Sequence, residues 1–192
     1  MIKNVCIFAS SSNNLEEVYY NDAKELGYLI GLNGMNIVYG GSRLGMMYAC
    51  ASNVKINGGK IIGVMPQKLY DYGCANPEDC DEFFLTSGMR ERKAKLDELS
   101  DAVIALAGGF GTLEEMSEMI VQKQLKYNNK PIVLLNTNGF YDMLISFFDR
   151  IISENFAKDE CDNLYYLANT PKEALEYIKS YNPAQVNYLG KF

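Results

Sequence analysis

Two hydrophobic rhythms alternate along the chain. Short runs that are apolar at nearly every position read as strands buried on both faces. Longer stretches with apolar residues three and four apart read as amphipathic helices. On this basis residues 5–9 are a strand, 15–32 a helix, 36–39 a second strand, and a helix follows from about Leu44. Residues 60–65 are a third strand and 82–85 a candidate fourth. Residues 89–99 then read as a helix, 102–106 as a strand, 113–125 as a helix, 131–135 as a strand and 141–152 as a helix. Residues 164–168 suit an edge strand. A last helix starts at Thr170-Pro171-Lys172-Glu173, where Thr caps, Pro takes the first turn and Glu completes a capping box.

Strand–helix alternation of this kind predicts an α/β fold: a doubly wound, Rossmann-like parallel sheet with helices on both faces. The 192 residues suit one domain spanning 1–192, with no linker, repeat or low-complexity segment. Residues 66–81 form a long connection with Gly73, Pro77 and two cysteines, and are expected to be a mobile lid or a structural loop. The tail after Asn182 looks irregular and is assigned to no element.

Composition narrows the chemistry. A net charge of −6, spread diffusely, argues against wrapping nucleic acid, which needs a basic stripe. The N-terminal apolar run is short and broken by serines, and no stretch reaches the length of a membrane span, so no membrane partner is expected and a cytoplasmic location is. The five cysteines, Cys6, Cys50, Cys74, Cys80 and Cys161, contain no C-x-x-C pair; reduced thiols are expected rather than a disulfide or zinc scaffold. The chain has no histidine, which removes the default general base, the default metal ligand and any Ser-His-Asp triad. Acid–base work falls to carboxylates, Lys, Tyr or Cys.

Ligands of such sheets sit at the carboxyl ends of strands. Three strand ends here carry turns suited to that: Ala9-Ser10-Ser11-Ser12-Asn13, Tyr39-Gly40-Gly41-Ser42-Arg43-Leu44-Gly45, and Ala107-Gly108-Gly109-Phe110-Gly111-Thr112 running into Glu114-Glu115. The third is the sharpest. Glycines let backbone amides approach a ligand closely, and the helix that follows supplies free amides and a positive dipole end for a phosphate. It is not a dinucleotide fingerprint, since Glu114 stands where the third Gly would be, nor a P-loop, since no Gly-Lys-Ser/Thr follows. Thr112-x-x-Glu115 also fits a plain capping box, which leaves a structural reading open.

The helix at 89–99 adds a second clue. Met89, Leu96 and Leu99 mark its apolar stripe, and Arg92 sits on that stripe with Lys93 beside it. Arginine is seldom buried unpaired. Arg92 either pairs with a buried carboxylate or faces a cleft and binds an anion. Arg90 and Lys95 look solvent-facing.

Met89-x-x-Arg92-Lys93 followed by Gly108-Gly109-x-Gly111-Thr112-x-x-Glu115 resembles the paired motifs of the LOG (Lonely Guy) family of cytokinin riboside 5′-monophosphate phosphoribohydrolases, many of them labelled lysine decarboxylase-like. The resemblance extends over most of the chain. Cys6-Ile7-Phe8-Ala9-Ser10-Ser11-Ser12, Val38-Tyr39-Gly40-Gly41-Ser42 with Gly45-Met46-Met47, Ile62-Gly63-Val64-Met65-Pro66 and Lys130-Pro131-Ile132-Val133-Leu134-Leu135-Asn136 also match. The chain departs from the family pattern at Ala107 (usually Pro), Ser42 and Ser10 (usually Gly) and Arg90 (often His).

The resemblance implies hydrolysis of the N-glycosidic bond of a nucleoside 5′-monophosphate, AMP or N6-modified AMP, to free base and ribose 5-phosphate. It implies no metal and no organic cofactor, and a homodimer in which residues near the Arg helix complete the neighbouring site. Carried onto this sequence, Glu115 serves the ribose and the attacking water, and Arg92 binds substrate or helps the leaving group. Gly108, Gly109, Gly111 and Thr112 hold the phosphate, while Ser11, Gly41, Met89 and Lys93 complete the substrate site. The competing reading is a non-catalytic nucleotide or molybdenum-cofactor carrier, which would need no carboxylate aimed at a ribose. A literal lysine decarboxylase is disfavoured because nothing singles out a Schiff-base lysine.

Overall fold

The computed structural model describes residues 2–185, so the tail left unassigned in the sequence falls partly outside the described residues. The apolar runs become strands because a parallel strand covered on both faces needs apolar side chains on both. β1 (Asn4–Phe8), β2 (Asn36–Tyr39), β3 (Ile61–Pro66), β4 (Glu82–Thr86), β5 (Ala102–Ala105), β6 (Ile132–Leu135) and β7 (Tyr166–Ala168) form one parallel sheet in the order β4-β3-β2-β1-β5-β6-β7.

Alternate residues of each strand feed two cores. Val5, Ile7, Ile37, Tyr39, Ile61 and Ile104 pack beneath α1 (Glu17–Leu32), α2 (Gly45–Ile56) and α7 (Pro171–Ser180). Cys6, Phe8, Val38, Val64, Val103 and Ala105 pack on the other face, against α4 (Met89–Leu99), α5 (Phe110–Gln124) and α6 (Asp142–Ser153). This is the doubly wound α/β sheet the sequence predicts. A short helix, α3 (Gln67–Asp71), had no clear signal in the sequence. Among the described residues no helix is long and apolar enough to cross a membrane.

The topology fixes where a ligand can sit. The chain builds outward from β1 through β2 and β3 to β4, then returns to lay β5 on the other side of β1. The order therefore reverses between β1 and β5, and the crevice beyond their carboxyl ends is the ligand position of such sheets. The serine turn follows β1 and the third glycine turn follows β5.

Most predicted elements stand within a few residues of their expected bounds, and α7 carries its cap: the Glu173 amide donates to Thr170 Oγ1 at 3.2 Å. Two expectations need correction. α5 starts at Phe110, not Leu113, and its N-cap is Gly109, so Thr112 lies inside the first turn and forms no capping box with Glu115. Met89 is 47% exposed: as the first residue of α4 it precedes the point where the stripe meets the sheet, while Leu96 is buried. For residues 66–81 the observed contacts fit the structural-loop alternative. β3 runs on through Pro66, α3 follows, and an antiparallel bridge joins Ala75 to Ser42.

Candidate active site

Backbone hydrogen bonds tie the three turns into one floor. The Ser10 amide donates to Ala107 C=O at 3.2 Å, and the Met46 amide donates to Ser10 C=O at 3.0 Å. The Gly45 amide donates to Asn13 Oδ1 at 2.9 Å. The serine turn is thus the joint that holds the second and third turns together.

The glycines of the third turn do different jobs. A Cβ on Gly108 would lie 2.2 Å from Thr112 Oγ1, so the fold itself requires glycine there. A Cβ on Gly109 or Gly111 would meet nothing within 4 Å. Neither residue has a positive φ, so neither packing nor backbone strain demands glycine at these two positions. What a bare backbone does gain is close approach by a group from outside. The helical ladder of α5 begins with the Leu113 amide donating to Gly109 C=O. The amides of residues 110–112 therefore have no acceptor within the helix, and the helix dipole adds to their attraction for an anion.

Arg92 and Glu115 meet behind this turn. α4 presents Arg92 on its buried face because the stripe there lies over β3 and β2. Nε donates to Val64 C=O at 3.2 Å, and Nη1 donates to Glu115 Oε1. Only 10% of the arginine side chain and 11% of the glutamate side chain are exposed. The guanidinium fits because Gly40 has no side chain: a Cβ there would lie 2.8 Å from Nη2. Burial pushes the Glu115 carboxyl above its ordinary range, and the Arg92 charge pulls it back down. Of the two alternatives for Arg92, the structure shows the pairing with a buried carboxylate.

The remaining predicted residues divide. Ser11 is exposed in the turn after β1. Gly41 is turned toward β4: a Cβ there would lie 2.7 Å from the Phe83 ring, and its carbonyl accepts from the Asn76 amide at 2.8 Å. Lys93 binds Glu114 and Glu118, so it braces α4 against α5. Arg90 is exposed as expected, while Lys95 pairs with Glu98 at 3.0 Å. Among the described residues no three carboxylate or thiol groups gather as a metal cage. The Cys6 thiol lies under the site, and burial with the Glu115 charge raises its pKa far above neutrality, so it is no nucleophile.

Sequence reasoning missed the apolar walls. A recess of about 460 Å³ opens beside Gly108 and Gly109, walled by Phe110, Leu113, Phe140, Met143 and Phe147. A second, about 270 Å³, lies between the same glycines and Ser10, Leu15, Tyr19 and Phe140. The spacing of Phe140, Met143 and Phe147 is an apolar stripe at helical period, and that was the available signal.

A protein-family model described as "Possible lysine decarboxylase" matches residues 47–178. The chain is 37% identical over 189 residues to the probable cytokinin riboside 5′-monophosphate phosphoribohydrolase LOGL2 of Oryza sativa subsp. japonica, covering 98% of this chain and 77% of that protein. It is 34% identical to the cytokinin riboside 5′-monophosphate phosphoribohydrolase LOG5 of Arabidopsis thaliana, covering 98% of this chain and 82% of that one. Among solved structures it resembles a molybdenum cofactor binding protein from Rippkaea orientalis, with TM-score 0.72, 24% identity, and coverage of 94% and 97%. A molybdenum cofactor carrier protein from Chlamydomonas reinhardtii gives TM-score 0.67 at 22% identity, with coverage of 93% and 97%. These structural likenesses speak for the fold alone.

Proposed function

This chain belongs to the LOG family, and on that premise we propose that it is a phosphoribohydrolase that cleaves the N-glycosidic bond of AMP or N6-modified AMP, releasing the base and ribose 5-phosphate. The observation that carries the reading is the buried Arg92–Glu115 pair one helical turn beyond an open, glycine-lined helix N-terminus. Gly111 and Glu115 are four residues apart, so they share a face of α5 and differ by about 6 Å along its axis. A 5′-phosphate held by the amides of residues 110–112 therefore brings a ribose toward the Glu115 carboxylate.

The residues suit the chemistry. Departure of the base leaves oxocarbenium character at the anomeric carbon, as in glycoside hydrolysis. Ionised Glu115 stabilises that charge and takes a proton from the attacking water, whose oxygen bonds to the anomeric carbon as the bond to the base nitrogen breaks. With no histidine in the chain, the departing base takes its proton from water or a carboxylate. Arg92 holds Glu115 in its ionised form and fixes its orientation. Gly109, Gly111 and Thr112 hold the phosphate, and Gly108 seats Thr112. Ser11 lines the cleft, Gly41 shapes its floor, and Met89 stands at the mouth. Lys93, already held by two carboxylates, steadies the α4–α5 angle.

The two relatives named above carry cytokinin riboside monophosphate in their names, which supports an N6-modified adenine as one substrate. Exposed Phe110, Met143 and Phe147 support a homodimer, since such apolar surface beside a site commonly meets a partner. A carrier is the second reading, supported by the fold of the cofactor-binding neighbours. It gives the buried pair no task. Chromatography of the purified protein incubated with AMP and with isopentenyladenosine monophosphate separates the two. Free base and ribose 5-phosphate are expected; nucleotide bound but intact would favour the carrier.

A further inference from the structure

The connection between β3 and β4 is fastened to α2 and the turn before it mainly around Asp79, with Lys55–Asp81 and Arg43–Glu78 ion pairs beside it. The Asp79 carboxylate accepts from Arg43 Nε at 3.1 Å, Arg43 Nη2 at 3.3 Å, Tyr48 OH at 2.7 Å and Asn76 Nδ2 at 2.6 Å. The Asp79 carbonyl accepts from Lys55 Nζ at 2.7 Å. Four donor contacts on one carboxylate, from Arg43 and Tyr48 more than thirty residues away and from Asn76 in the same segment, exceed what a simple surface ion pair makes. The segment they hold is attached in turn to the second glycine turn. The Asn76 amide donates to Gly41 C=O at 2.8 Å, and Ala75 bridges Ser42. That turn contains Gly40, whose bare α-carbon leaves room for the Arg92 guanidinium.

We propose that Asp79 is a positioning residue for the nucleotide site: it latches residues 74–79 onto α2, which holds the Gly40–Gly41 turn where Arg92 can reach Glu115. The serine turn fixes the far end of this turn through Gly45 and Met46, and on the β4 side it meets the Phe83 ring and the latched segment. Gly41 sits at φ +69°, a conformation that glycine tolerates but does not enforce. Its carbonyl and the neighbouring Ser42 are engaged by the latched segment. A shift of the turn toward Arg92 would displace Nη2, and with it the direction from which Nη1 meets the carboxylate. The inference rests on the catalytic role proposed for Arg92 and Glu115, and its test includes a readout that does not.

The test compares Asp79→Ala, Asp79→Asn and Tyr48→Phe in the full chain. Steady-state kinetics with AMP are measured together with the Arg92 Nε–Hε NMR resonance, which reports the bond to Val64 C=O without substrate. Misplacing a catalytic group by about 1 Å can cost about 10²-fold. Asp79→Ala is expected to lower kcat about 10- to 100-fold with KM changed less than about 3-fold, and to shift or broaden the resonance. Asp79→Asn, which keeps one acceptor oxygen, and Tyr48→Phe, which removes one donor, are expected to fall between Asp79→Ala and wild type. In an Arg92→Lys background, Asp79→Ala is expected to add less than about a 2-fold loss, because coupled residues are non-additive. An unmoved resonance in the folded Asp79 variants, or a full additional loss in the Arg92→Lys background, overturns the proposal. Should Asp79→Ala fail to fold, Asp79→Asn and Tyr48→Phe decide by the same two readouts. If wild type cleaves no nucleotide, the functional reading falls while the resonance still decides the latch.

Discussion

Glu115→Gln separates the two jobs of that carboxylate. The side chain lies at the α4–α5 contact, 11% exposed, and accepts from Arg92 Nη1. Gln keeps the length and one acceptor oxygen but cannot ionise. Removing one partner of a buried pair outright costs about 3–5 kcal/mol. Gln preserves the hydrogen bond and Arg92 keeps Val64 C=O, so a loss of about 1–3 kcal/mol is expected. At about 2–4 °C per kcal/mol for a chain of this size, the melting temperature falls by about 2–12 °C and the protein stays folded at 25 °C. On the proposed mechanism, turnover loses the base and the charge set against the anomeric carbon. General acid–base help is worth about 10²–10⁴-fold, so a loss of at least about 100-fold, or about 2.7 kcal/mol, is expected.

The assay is release of free base from AMP, with melting temperature and nucleotide binding on the same preparation. A folded Glu115→Gln protein within about 10-fold of wild-type turnover would refute the catalytic assignment. The pH dependence gives a second check. Burial raises the Glu115 carboxyl above its ordinary 4.5, so the acidic limb of the kcat profile lies above that value. The folded state then binds this proton more tightly than the unfolded state does. Wild-type stability relative to Glu115→Gln is therefore greatest below pH 4.5 and declines as pH rises through the folded-state pKa.

Three further outcomes are expected. Gly108→Ala should destabilise the fold, by about 1–3 kcal/mol on thermal melting, because its Cβ would strike Thr112, whereas Gly109→Ala should melt within about 1 kcal/mol of wild type yet bind AMP more weakly. Equal behaviour of the two on both readouts would remove the distinction drawn between them. Arg92→Lys should lower kcat and move its acidic limb to higher pH, because a weaker, displaced charge pulls the Glu115 carboxyl down less; an unmoved limb counts against the pairing. Lys123, buried in α5, has its ammonium pushed down to about 8, so its contribution to stability grows as pH rises from about 8 toward 10.5. Lys123→Met should abolish that part of the dependence, read as the difference between the two melting curves across that range.

The fold was legible because buried parallel strands leave unbroken apolar runs and helices leave a 3.6 period, both purely local signals. Residues 82–86 were harder, since Glu82 and Leu85 are exposed on an edge strand and the run is only half buried. The glycine turn after β5 was legible as a candidate anion site, but its internal division was not. That Gly108 answers to Thr112 while Gly109 and Gly111 answer to nothing in the chain depends on where α5 begins. The helix starts three residues earlier than its apolar period suggests, because Gly109 can take the N-cap without a side-chain bond. Arg92 betrayed itself by lying on an apolar stripe, yet its partner 23 residues away could not be told from a capping glutamate. Lys93 gave no hint of Glu114 and Glu118, since α4 and α5 are brought together by the sheet and not by sequence spacing. Asp79 was invisible for the same reason: a carboxylate in a loop has no period, and its donors Arg43 and Tyr48 belong to another segment.

The loss of the capping box changes the meaning of Glu115. Had the glutamate served the first turn of α5, its burial against Arg92 would have been incidental. Instead α5 starts at a glycine N-cap with no side-chain bond, and the carboxylate is left to a costly place where Arg92, with a smaller share from Lys93, offsets desolvation. An apolar pair of similar volume would pack there at least as well. The chain retains ions, and it makes space for them with a glycine at position 40 and a backbone carbonyl at Val64. Burial raises the carboxyl and the guanidinium lowers it, so the ionised fraction near neutral pH depends on how closely the two groups are held. A group meant only to stabilise the fold has no use for such sensitivity. A group that must accept a proton from water as a glycosidic bond breaks has a direct one, because its efficiency depends on a pKa brought toward the working pH.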